Sequence, residues 1–306
     1  MYTYLNLSLY WYWYCWCFSA SLSLSLSLIL ALVCSMAPKG KYTPSQNPLR
    51  SRASSYDPTP SHVRFYDEKA KLDFLENFSW RGIQSERQVI LSDFSDTDLP
   101  TIIYSQGWQS LCDILVTCPS MIIQEFYSNM HGFDTSIPHF ITRIWGTRIV
   151  VTSDVISEVL HIPRAVHPDY PSCDRLSKNE LSSLFCESPS SWGDHQNTPC
   201  SGFAKCPRFL TMVMTFVFHP LSHYNSITEP RTQFLLSLLE ELSIDFPSYF
   251  ILSLIDVYRD TVTCDKLIFP SVITWILCHF SISYLASPHF LVICAIDAAT
   301  VRWSEA

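Results

Sequence analysis

Downstream of residue 65, apolar residues recur mostly at helical spacing, and Pro, Gly, Ser and Thr mark where the segments begin and end. Asp67 and Glu68 open the first of these segments, which carries Leu72, Leu75 and Phe78 on one apolar side. Acidic residues are favourable near the positive N-terminal end of a helix. The pattern therefore predicts that the folded part of the chain begins with a helix at this point.

Two further segments with helical spacing flank Pro119. The helical spacing of apolar residues predicts a short helix or turn at 109–116. Pro119 then suits the first position of a second helix, because the N–H that it lacks has no partner there, and Gly132 is expected to end that helix. The apolar stripe of the second helix consists of Met121, Ile122, Phe126 and Met130. A stripe of this kind is typical of core packing.

Residues 141–152 change from helical to alternating spacing around Gly146, which predicts a β-hairpin or two short strands. Ser153 is expected to cap the helix that follows, and Pro163 is expected to stop it. The inward side of that helix consists of Val155, Ile156, Val159 and Leu160.

The second half of the chain alternates between an irregular region and strong helical patterns. Residues 163–207 are interrupted by Pro, with one helix expected at 178–186, and we interpret this region as a surface excursion instead of a seam between two subdomains. Helices are predicted at 208–219, after Thr228, at 246–258 and at 271–280. The first is apolar on nearly all sides, as a central helix would be. The predicted fold is mainly α (α+β), a compact helical domain with one small β element near 141–152.

The first 35 residues contain no charged side chain and are mostly apolar. Ser and Leu alternate from Ser21 to Leu28, which is what a CT dinucleotide repeat encodes when it is read in triplets. We therefore interpret residues 1–35 as translated upstream sequence and Met36 as the native start, with a signal peptide or a membrane anchor as open alternatives. An intracellular location is expected if Met36 is the start. The secretory pathway or a membrane is expected if the leader is genuine.

Residues 36–64 are rich in Pro and Ser, and we expect them to form a disordered linker. One acidic residue in this segment is outnumbered by five basic ones, Lys39, Lys41, Arg50, Arg52 and Arg64, which gives a net charge of +4. The remainder of the chain carries −12 and repels phosphate on average, so nucleic acid is a candidate partner only through this basic tail. The helical domain is expected at 65–290, followed by a short apolar tail at 291–306 that could be truncated.

Motifs of known catalytic and cofactor sites do not match the sequence, so no catalytic or cofactor-binding residue is predicted. The seven glycines are too far apart for a loop that cradles phosphate. Asp134-Thr135-Ser136 has Ser where the aspartic protease triplet of retroelements requires Gly, and we interpret it as a helix-to-strand turn. His219 and His223 are four residues apart, but the proline directly after His219 breaks the helix that would align them.

The spacing of Cys and His does not favour a metal site either. Cys200 and Cys206 are separated by five residues, wider than in zinc knuckles, so a zinc site that includes His195 is not predicted. The nine cysteines downstream of residue 35 form an odd set without framework spacing, which favours reduced, mostly buried thiols. His139 and His161 lie beside apolar residues and are interpreted as packing residues.

Several short motifs occur in the order and spacing of one family. They are WQSLC at 108–112, QEFYSN at 124–129, WGTRIV at 145–150, HPLSHY at 219–224 and IFPSVI at 268–273. With these motifs the region from about residue 92 to residue 282 resembles the putative plant transposon protein domain, which is carried by retrotransposon-derived open reading frames. Trp145 is a departure, because related sequences often carry Arg there. The family has no established chemistry.

The resemblance implies a non-enzymatic, retrotransposon-derived domain, gag-like in the sense of a helical module that assembles or binds components of the element. Self-association is one property that such a module would have. Two alternatives stay open. An enzymatic fragment with unfamiliar geometry would be favoured by a deep pocket that gathers His and carboxylate side chains. A membrane-anchored protein would require that the leader is retained.

Overall fold

The structure is a computed structural model, and it describes residues 64–113, 119–172, 176–188, 197–200, 202–220, 226–260, 266–282, 295–297 and 300. The predictions for the leader, for the linker up to residue 63 and for most of the apolar tail concern residues outside these ranges. The described part is mainly helical and has small sheets, which confirms the predicted mainly α (α+β) fold class.

The helices follow one another closely along the described chain. They are α1 (Glu68–Asp73), α2 (Leu99–Gln106), α3 (Gln109–Cys112), α4 (Ser120–Ser128), α5 (Ser153–Leu160), α6 (Lys178–Phe185), α7 (Lys205–Val213), α8 (Glu229–Leu239), α9 (Phe246–Arg259) and α10 (Pro270–His279). A π-helical turn continues α1 at Phe74–Phe78 and another continues α7 at Met214–Phe218, while Leu91–Phe94 forms a short 3-10 helix. Among the described residues, no helix combines the length and the apolar character that crossing a membrane requires.

The strands form three small sheets within the described ranges. They are β1 (Gly82–Ile83), β2 (His131–Asp134), β3 (His139–Ile144), β4 (Thr147–Thr152), β5 (Asn197–Pro199), β6 (Ser226–Thr228) and β7 (Lys266–Leu267). Strands β2, β3 and β4 form an antiparallel sheet in that order, β1 pairs with β7 in parallel, and β5 pairs with β6 antiparallel. The two-stranded sheets connect parts of the chain that are distant in the sequence.

The hairpin predicted at 141–152 is present as β3 and β4, which pair over their whole length. Trp145 and Gly146 form its two-residue turn, and both have positive φ, 49° and 82°, as a type I′ turn requires. Its buried face consists of Phe140, Thr142, Ile144, Ile149 and Val151. The alternating pattern in the sequence therefore predicted this element correctly.

A third strand, β2, lies beside β3 where the sequence predicted the end of a helix. Helix α4 ends earlier, so Gly132 lies inside β2, and the prediction that it ends the helix is wrong. Gly132 has a φ of 62°, and a Cβ atom on it would lie 3.2 Å from Cδ1 of Ile141 in β3. The turn at Asp134 therefore joins two strands, not a helix and a strand, and its Oδ1 accepts the N–H groups of Ser136 and Ile137 at 2.8 and 3.1 Å.

The helix at the start of the domain is present but turns an unexpected side inward. Asp67 caps it through a side-chain oxygen. Leu72 and Leu75, predicted on its apolar side, are exposed, so that part of the prediction is wrong. The residues that face inward instead recur at every fourth position through α1 and the π-helical turn that continues it. The residues on the inward side are Ala70, Phe74 and Phe78.

Several helix boundaries differ from the prediction by one to three residues. Pro119 occupies the capping position of α4 instead of its first turn. Thr152, not Ser153, caps α5, because its hydroxyl accepts the N–H of Val155 at 3.3 Å. Helix α7 begins at Lys205, three residues earlier than expected. Caps are local contacts of single side chains, whereas periodicity defines only the body of a helix.

The core is built around α7 to α10, as the apolar patterns indicated. The residues of α7 and its π-helical turn that are almost completely buried include Phe209, Leu210, Val213, Met214 and Val217. The ring of Trp108 joins three of these elements, since its centroid lies 5.0, 6.2 and 5.0 Å from those of Phe218, Phe234 and Phe246. Leu181 and Phe185 of α6 also belong to the core, so the interpretation of residues 163–207 as a surface excursion is wrong for this helix.

A buried arginine connects the N-terminal part of the domain to the end of α9. Arg81 is 1% exposed, and its Nη1 and Nη2 donate to the carbonyl oxygens of Val257 and Asp260 at 3.1 and 2.8 Å. The last carbonyls of a helix have no partner within the helix, and positive charge is favourable there. Arg81 therefore caps a helix that lies far from it in the sequence.

A buried glutamate has the matching role at the start of α10. The carboxylate of Glu86 accepts the N–H of Ser271 at 3.1 Å and that of Val272 at 3.4 Å. The first N–H groups of a helix need such an acceptor, and a negative charge is favourable beside them. The two long-range caps fix the segment at 81–86 against the C-terminal helices.

Candidate functional site

A cleft of ≈ 740 Å³ opens beside α9 in the described part of the molecule. Residues of α9 line it together with the start of α8, the end of the π-helical turn after α7 and the loop at 168–171, and Gln84 and β7 also contribute to the lining. Its volume falls within the range of about 300–1,000 Å³ that is usual for ligand sites. The cleft is therefore the candidate site of this domain.

Proline and aromatic side chains form a large part of the cleft walls. The ring of Tyr249 stacks on Phe234 at 4.7 Å and lies 6.0 Å from Tyr170. Five prolines also line the cleft, Pro138, Pro168, Pro171, Pro220 and Pro230. Proline has a fixed φ and no N–H group to satisfy. These walls thus offer a largely apolar surface that is formed before a ligand binds.

His219 and Tyr249 form a hydrogen-bonded pair in this wall, with 2.7 Å between Nδ1 and Oη. Burial, and secondarily the nearby charge of Arg231, lower the pKa of His219 to about 3. Burial also raises the pKa of Tyr249 above its usual range. Both side chains are therefore neutral near pH 7, as groups in an apolar wall tend to be.

Asp245 lies at the edge of the cleft, and neighbouring residues bind its carboxylate. Its two oxygens accept Nε and Nη2 of Arg164 at 2.8 and 3.0 Å, and the hydroxyl of Ser248 donates to Oδ2 at 2.5 Å. Arg164 also pairs with Asp154 in α5, and its pKa is raised chiefly by the hydrogen bond to Asp245. A bidentate pair of this kind has a fixed geometry, so it holds the start of α9 against α5.

Charged side chains also line the cleft. Asp256, which is exposed on α9, is one of them. Burial of part of its carboxylate raises the pKa of Asp256, and the charge of Arg259 acts in the opposite direction. Lys266 donates from Nζ to Oε1 of Gln84 at 3.2 Å. The cleft therefore combines largely apolar walls with charged side chains, among them Asp256 and Lys266.

Neither His219 nor Tyr249 has a pKa that suits a general acid or base near pH 7. A general acid or base is most effective when its pKa lies near the working pH, whereas His219 has a pKa of about 3 and that of Tyr249 is raised. The serine hydroxyls in the lining are engaged as well, since Ser248 donates to Asp245 and Ser253 donates to the carbonyl oxygen of Tyr249 at 2.9 Å.

The motif at 124–129 does not line the cleft but connects elements of the fold. The amide nitrogen of Gln124 donates to the carbonyl oxygens of Ser79 and Arg81 at 3.1 and 3.2 Å. Glu125 is 1% exposed and accepts Nε of Arg64 at 2.7 Å. Arg64, expected to belong to the basic tail, is therefore part of the folded domain.

The other polar residues of this motif act in the same way. The hydroxyl of Tyr127 donates to the carbonyl oxygen of Ile268 at 3.1 Å. The side chain of Asn129 accepts the N–H of Tyr66 at 2.7 Å and donates to the carbonyl oxygen of Arg64 at 3.0 Å. The motif thus holds in place both the N-terminal segment at 64–66 and the residue that follows β7.

The residues weighed as metal ligands are only partly described. Cys200 is buried and Cys206 is partly buried, and burial raises the pKa of their thiols to about 12 and about 11. His195 and His223 lie outside the described residues, and His219 lies in the cleft. In the described ranges, no group of three or more His, Cys, Asp or Glu side chains is arranged to hold a metal ion.

Two further sequence interpretations concern the surface. His161 is exposed and ends α5 with a φ of 54°, so its interpretation as a packing residue is wrong. His139 is partly exposed in β3, and its Nδ1 lies 2.9 Å from the carbonyl oxygen of Ile137. The remaining basic residues of the tail, Lys39, Lys41, Arg50 and Arg52, lie outside the described residues.

The patterns in the sequence did not indicate the cleft. Its residues range from Gln84 to Ile268, so no local pattern groups them. Tyr170, Tyr249 and Asp256 stand in ordinary apolar or loop contexts. The only hint was the motif at 219–224, which begins with His219.

A family model described as Putative plant retrotransposon-related domain matches residues 104–283, which is more than half of the chain. The match includes the hairpin, α8, α9 and α10, and it confirms the resemblance that the motifs indicated. Neither the comparison with curated proteins nor the comparison with solved structures gives a match.

Proposed function

The chain belongs to the putative plant retrotransposon-related domain family, and from this premise we propose that the domain is a non-enzymatic interaction module whose cleft holds an extended segment of a partner protein. The observation that carries the proposal is the neutral His219–Tyr249 pair in an apolar, proline-lined wall. A hydrogen-bonded pair that stays neutral near pH 7 suits recognition better than proton transfer.

The chemistry of the cleft favours a proline-containing segment with a basic residue. Proline-rich segments adopt an extended helix before they bind and pack against aromatic rings. Tyr170 and Tyr249 supply such rings. Asp256 in the cleft lining suits a Lys or Arg side chain of the ligand, because opposite charges across an interface guide the register of binding.

Peptide binding tests this proposal. Extended peptides that combine Pro with Lys or Arg would be titrated into labelled full-length protein, with scrambled peptides as the reference. Leu252→Arg places a charged side chain in the cleft wall, and Leu184→Arg makes the same change at an exposed position of α6 that does not line this cleft. We expect peptides that bind the wild type to bind Leu252→Arg at least about tenfold more weakly, which corresponds to 1.4 kcal/mol, and Leu184→Arg equally well. Failure of all the peptides, or equal binding to the two variants, contradicts the proposal.

An enzymatic function is the second candidate, and one observation favours it. The cleft brings His219 into one lining with the carboxylates of Asp245, Asp256 and Asp260, which is the kind of pocket that the sequence could not exclude. Chromogenic esters, amides and phosphoesters would be incubated with the wild type and with His219→Gln. Turnover by the wild type that His219→Gln abolishes would replace the binding proposal with an enzymatic one.

A further inference from the structure

An exposed apolar face follows α1 and the π-helical turn after it. Leu72, Leu75 and Trp80 are 46%, 57% and 59% exposed. Exposed apolar side chains that occur singly are normal, but contiguous ones mark interaction sites. Leu72 lies in α1, Leu75 lies in the π-helical turn and Trp80 follows that turn by two residues. We call these three residues, together with Lys69 and Glu76, the α1 face.

The α1 face is held rigidly on the domain. Nε1 of Trp80 donates to the carbonyl oxygen of Glu76 at 2.7 Å, which fixes the exposed indole over the last turn. On the inward side, the ring of Phe78 stacks on Tyr127 at 6.1 Å and on Tyr258 at 5.6 Å. Trp is enriched among residues that dominate binding energy, and a side chain that is already fixed loses little entropy on binding.

Charges of opposite sign border the apolar residues of this face. Lys69 precedes Leu72 by three residues and Glu76 follows it by four, so the three side chains lie on one side of the helix. Lys69 and Glu76 are both exposed, whereas Lys71 pairs with Glu68 at 2.9 Å within the helix. On this side of the helix, Lys69 therefore lies toward the N-terminal end and Glu76 toward the C-terminal end.

A face with this order of charges is complementary to itself. When two copies pair antiparallel about a twofold axis, Lys69 of each copy lies opposite Glu76 of the other. The leucines then meet near the axis, between two Lys69–Glu76 pairs. Parallel pairing would place like charges opposite each other, which is unfavourable.

We propose that the α1 face binds the α1 face of a second copy of this chain in antiparallel orientation, with Leu72, Leu75 and Trp80 in the contact and Lys69 opposite Glu76 at both ends. The contact of single helical faces is smaller than a standard interface of roughly 1,600 Å², so the dimer is expected to be weak and reversible. This proposal does not depend on the cleft or on its ligand.

Sedimentation velocity of the full chain over a wide concentration series tests the apolar part of the contact. Leu75→Glu introduces a charge at the centre of the α1 face, and Leu184→Glu makes the same change at a leucine of α6 that is 52% exposed. We expect the wild type and Leu184→Glu to dimerise with the same dissociation constant, and Leu75→Glu to dimerise at least about tenfold more weakly. A wild type that stays monomeric overturns the proposal, as would occur if another segment or partner covers the face. Equal dissociation constants for the two variants overturn it as well.

Charge reversal tests the orientation. Lys69→Glu and Glu76→Lys should each weaken the dimer, because each creates two pairs of like charges across the twofold axis. The double variant restores opposite charges at both ends and should recover the dissociation constant of the wild type. These residues are exposed, so the variants should fold, and circular dichroism checks that they do. A double variant that is no better than the single ones rules out the antiparallel pairing.

Discussion

Replacing Glu86 by Gln should remove a dependence of stability on pH that the wild type has between mildly acidic and neutral conditions. Glu86 is 7% exposed, and its carboxylate accepts N–H groups at the start of α10. Burial raises the pKa of Glu86 from 4.5 to about 7, although the backbone hydrogen bonds, among them those from Ser271 and Val272, act in the opposite direction. The folded protein therefore holds this proton more tightly than the unfolded chain does.

The sign of the effect follows from proton linkage. Between pH 4.5 and about 7 the folded state binds more protons at Glu86 than the unfolded state, so the free energy of unfolding falls as pH rises through this window. Each pKa unit corresponds to about 1.36 kcal/mol, so the full rise of the pKa corresponds to about 3 kcal/mol. The contribution is fully present below pH 4.5 and is lost above about pH 7.

Urea unfolding, followed by tryptophan fluorescence across this pH window, measures the effect in wild type and in Glu86→Gln. Gln keeps an acceptor for the N–H groups of α10 but cannot ionise. The difference between the two free energies of unfolding cancels the other titrating groups, and it should shift by about 3 kcal/mol in favour of the variant as pH rises. Glu86→Ala also removes the acceptor. Like Glu86→Gln, it should lose the pH dependence that comes from Glu86, and it should be less stable than Glu86→Gln across the pH window by about 1–3 kcal/mol.

If the difference in the free energy of unfolding between wild type and Glu86→Gln does not change with pH, the reasoning is refuted. A difference that changes in favour of the wild type as pH rises would refute it more strongly. That result would mean that the N–H donors and the positive end of α10 stabilise the carboxylate more than burial destabilises it.

Three other changes test the contacts that hold the fold together. Arg81→Met removes the donors to the last carbonyls of α9 and should cost about 3 kcal/mol; a fall in Tm of less than roughly 6 °C in thermal unfolding would contradict this. Gly146→Ala places a side chain at a φ of 82° in the hairpin turn and should cost about 1 kcal/mol, which urea unfolding can measure; unchanged stability would exclude strain at this turn. Glu125→Ala leaves the partly buried Arg64 without its carboxylate and should cost about 3 kcal/mol. Hydrogen exchange at residues 64–80 should then accelerate more than in α10, and a uniform change along the chain would argue against a local effect.

The parts of the fold that the sequence predicted are those with a local physical cause. Pro270 at the start of α10 and the Thr228-Glu229-Pro230 sequence at the start of α8 define helix starts without any knowledge of the rest of the chain. The alternation around Gly146 likewise defined the hairpin, because a period of two and a left-handed turn are both local properties. The predicted fold class follows from these elements.

The parts that the sequence did not predict depend on contacts between distant segments. Strands β1 and β7 have two residues each, too few for any period, and they exist because they pair with each other. Arg81 and Glu86, which provide the two caps, are charged residues. A prediction from the local sequence would place such residues at the surface. The cleft has the same origin, since His219, Tyr249 and Asp256 meet only after α7, α8 and α9 have packed together.

The α1 face is the place where the apolar pattern and the structure disagree, and the disagreement has two explanations with different consequences. The leucines could be exposed only because the π-helical turn shifts the buried side to Phe74 and Phe78. Replacing Leu72 and Leu75 by Gln would then leave both stability and association unchanged. If the face is an interface, the same replacement leaves the stability of the isolated domain unchanged but weakens the dimer, because the apolar area is buried only between copies. The fixed indole of Trp80 and the order of charges from Lys69 to Glu76 favour the second explanation, since a shift in the helical turn accounts for exposed leucines but not for a charge pattern that complements itself.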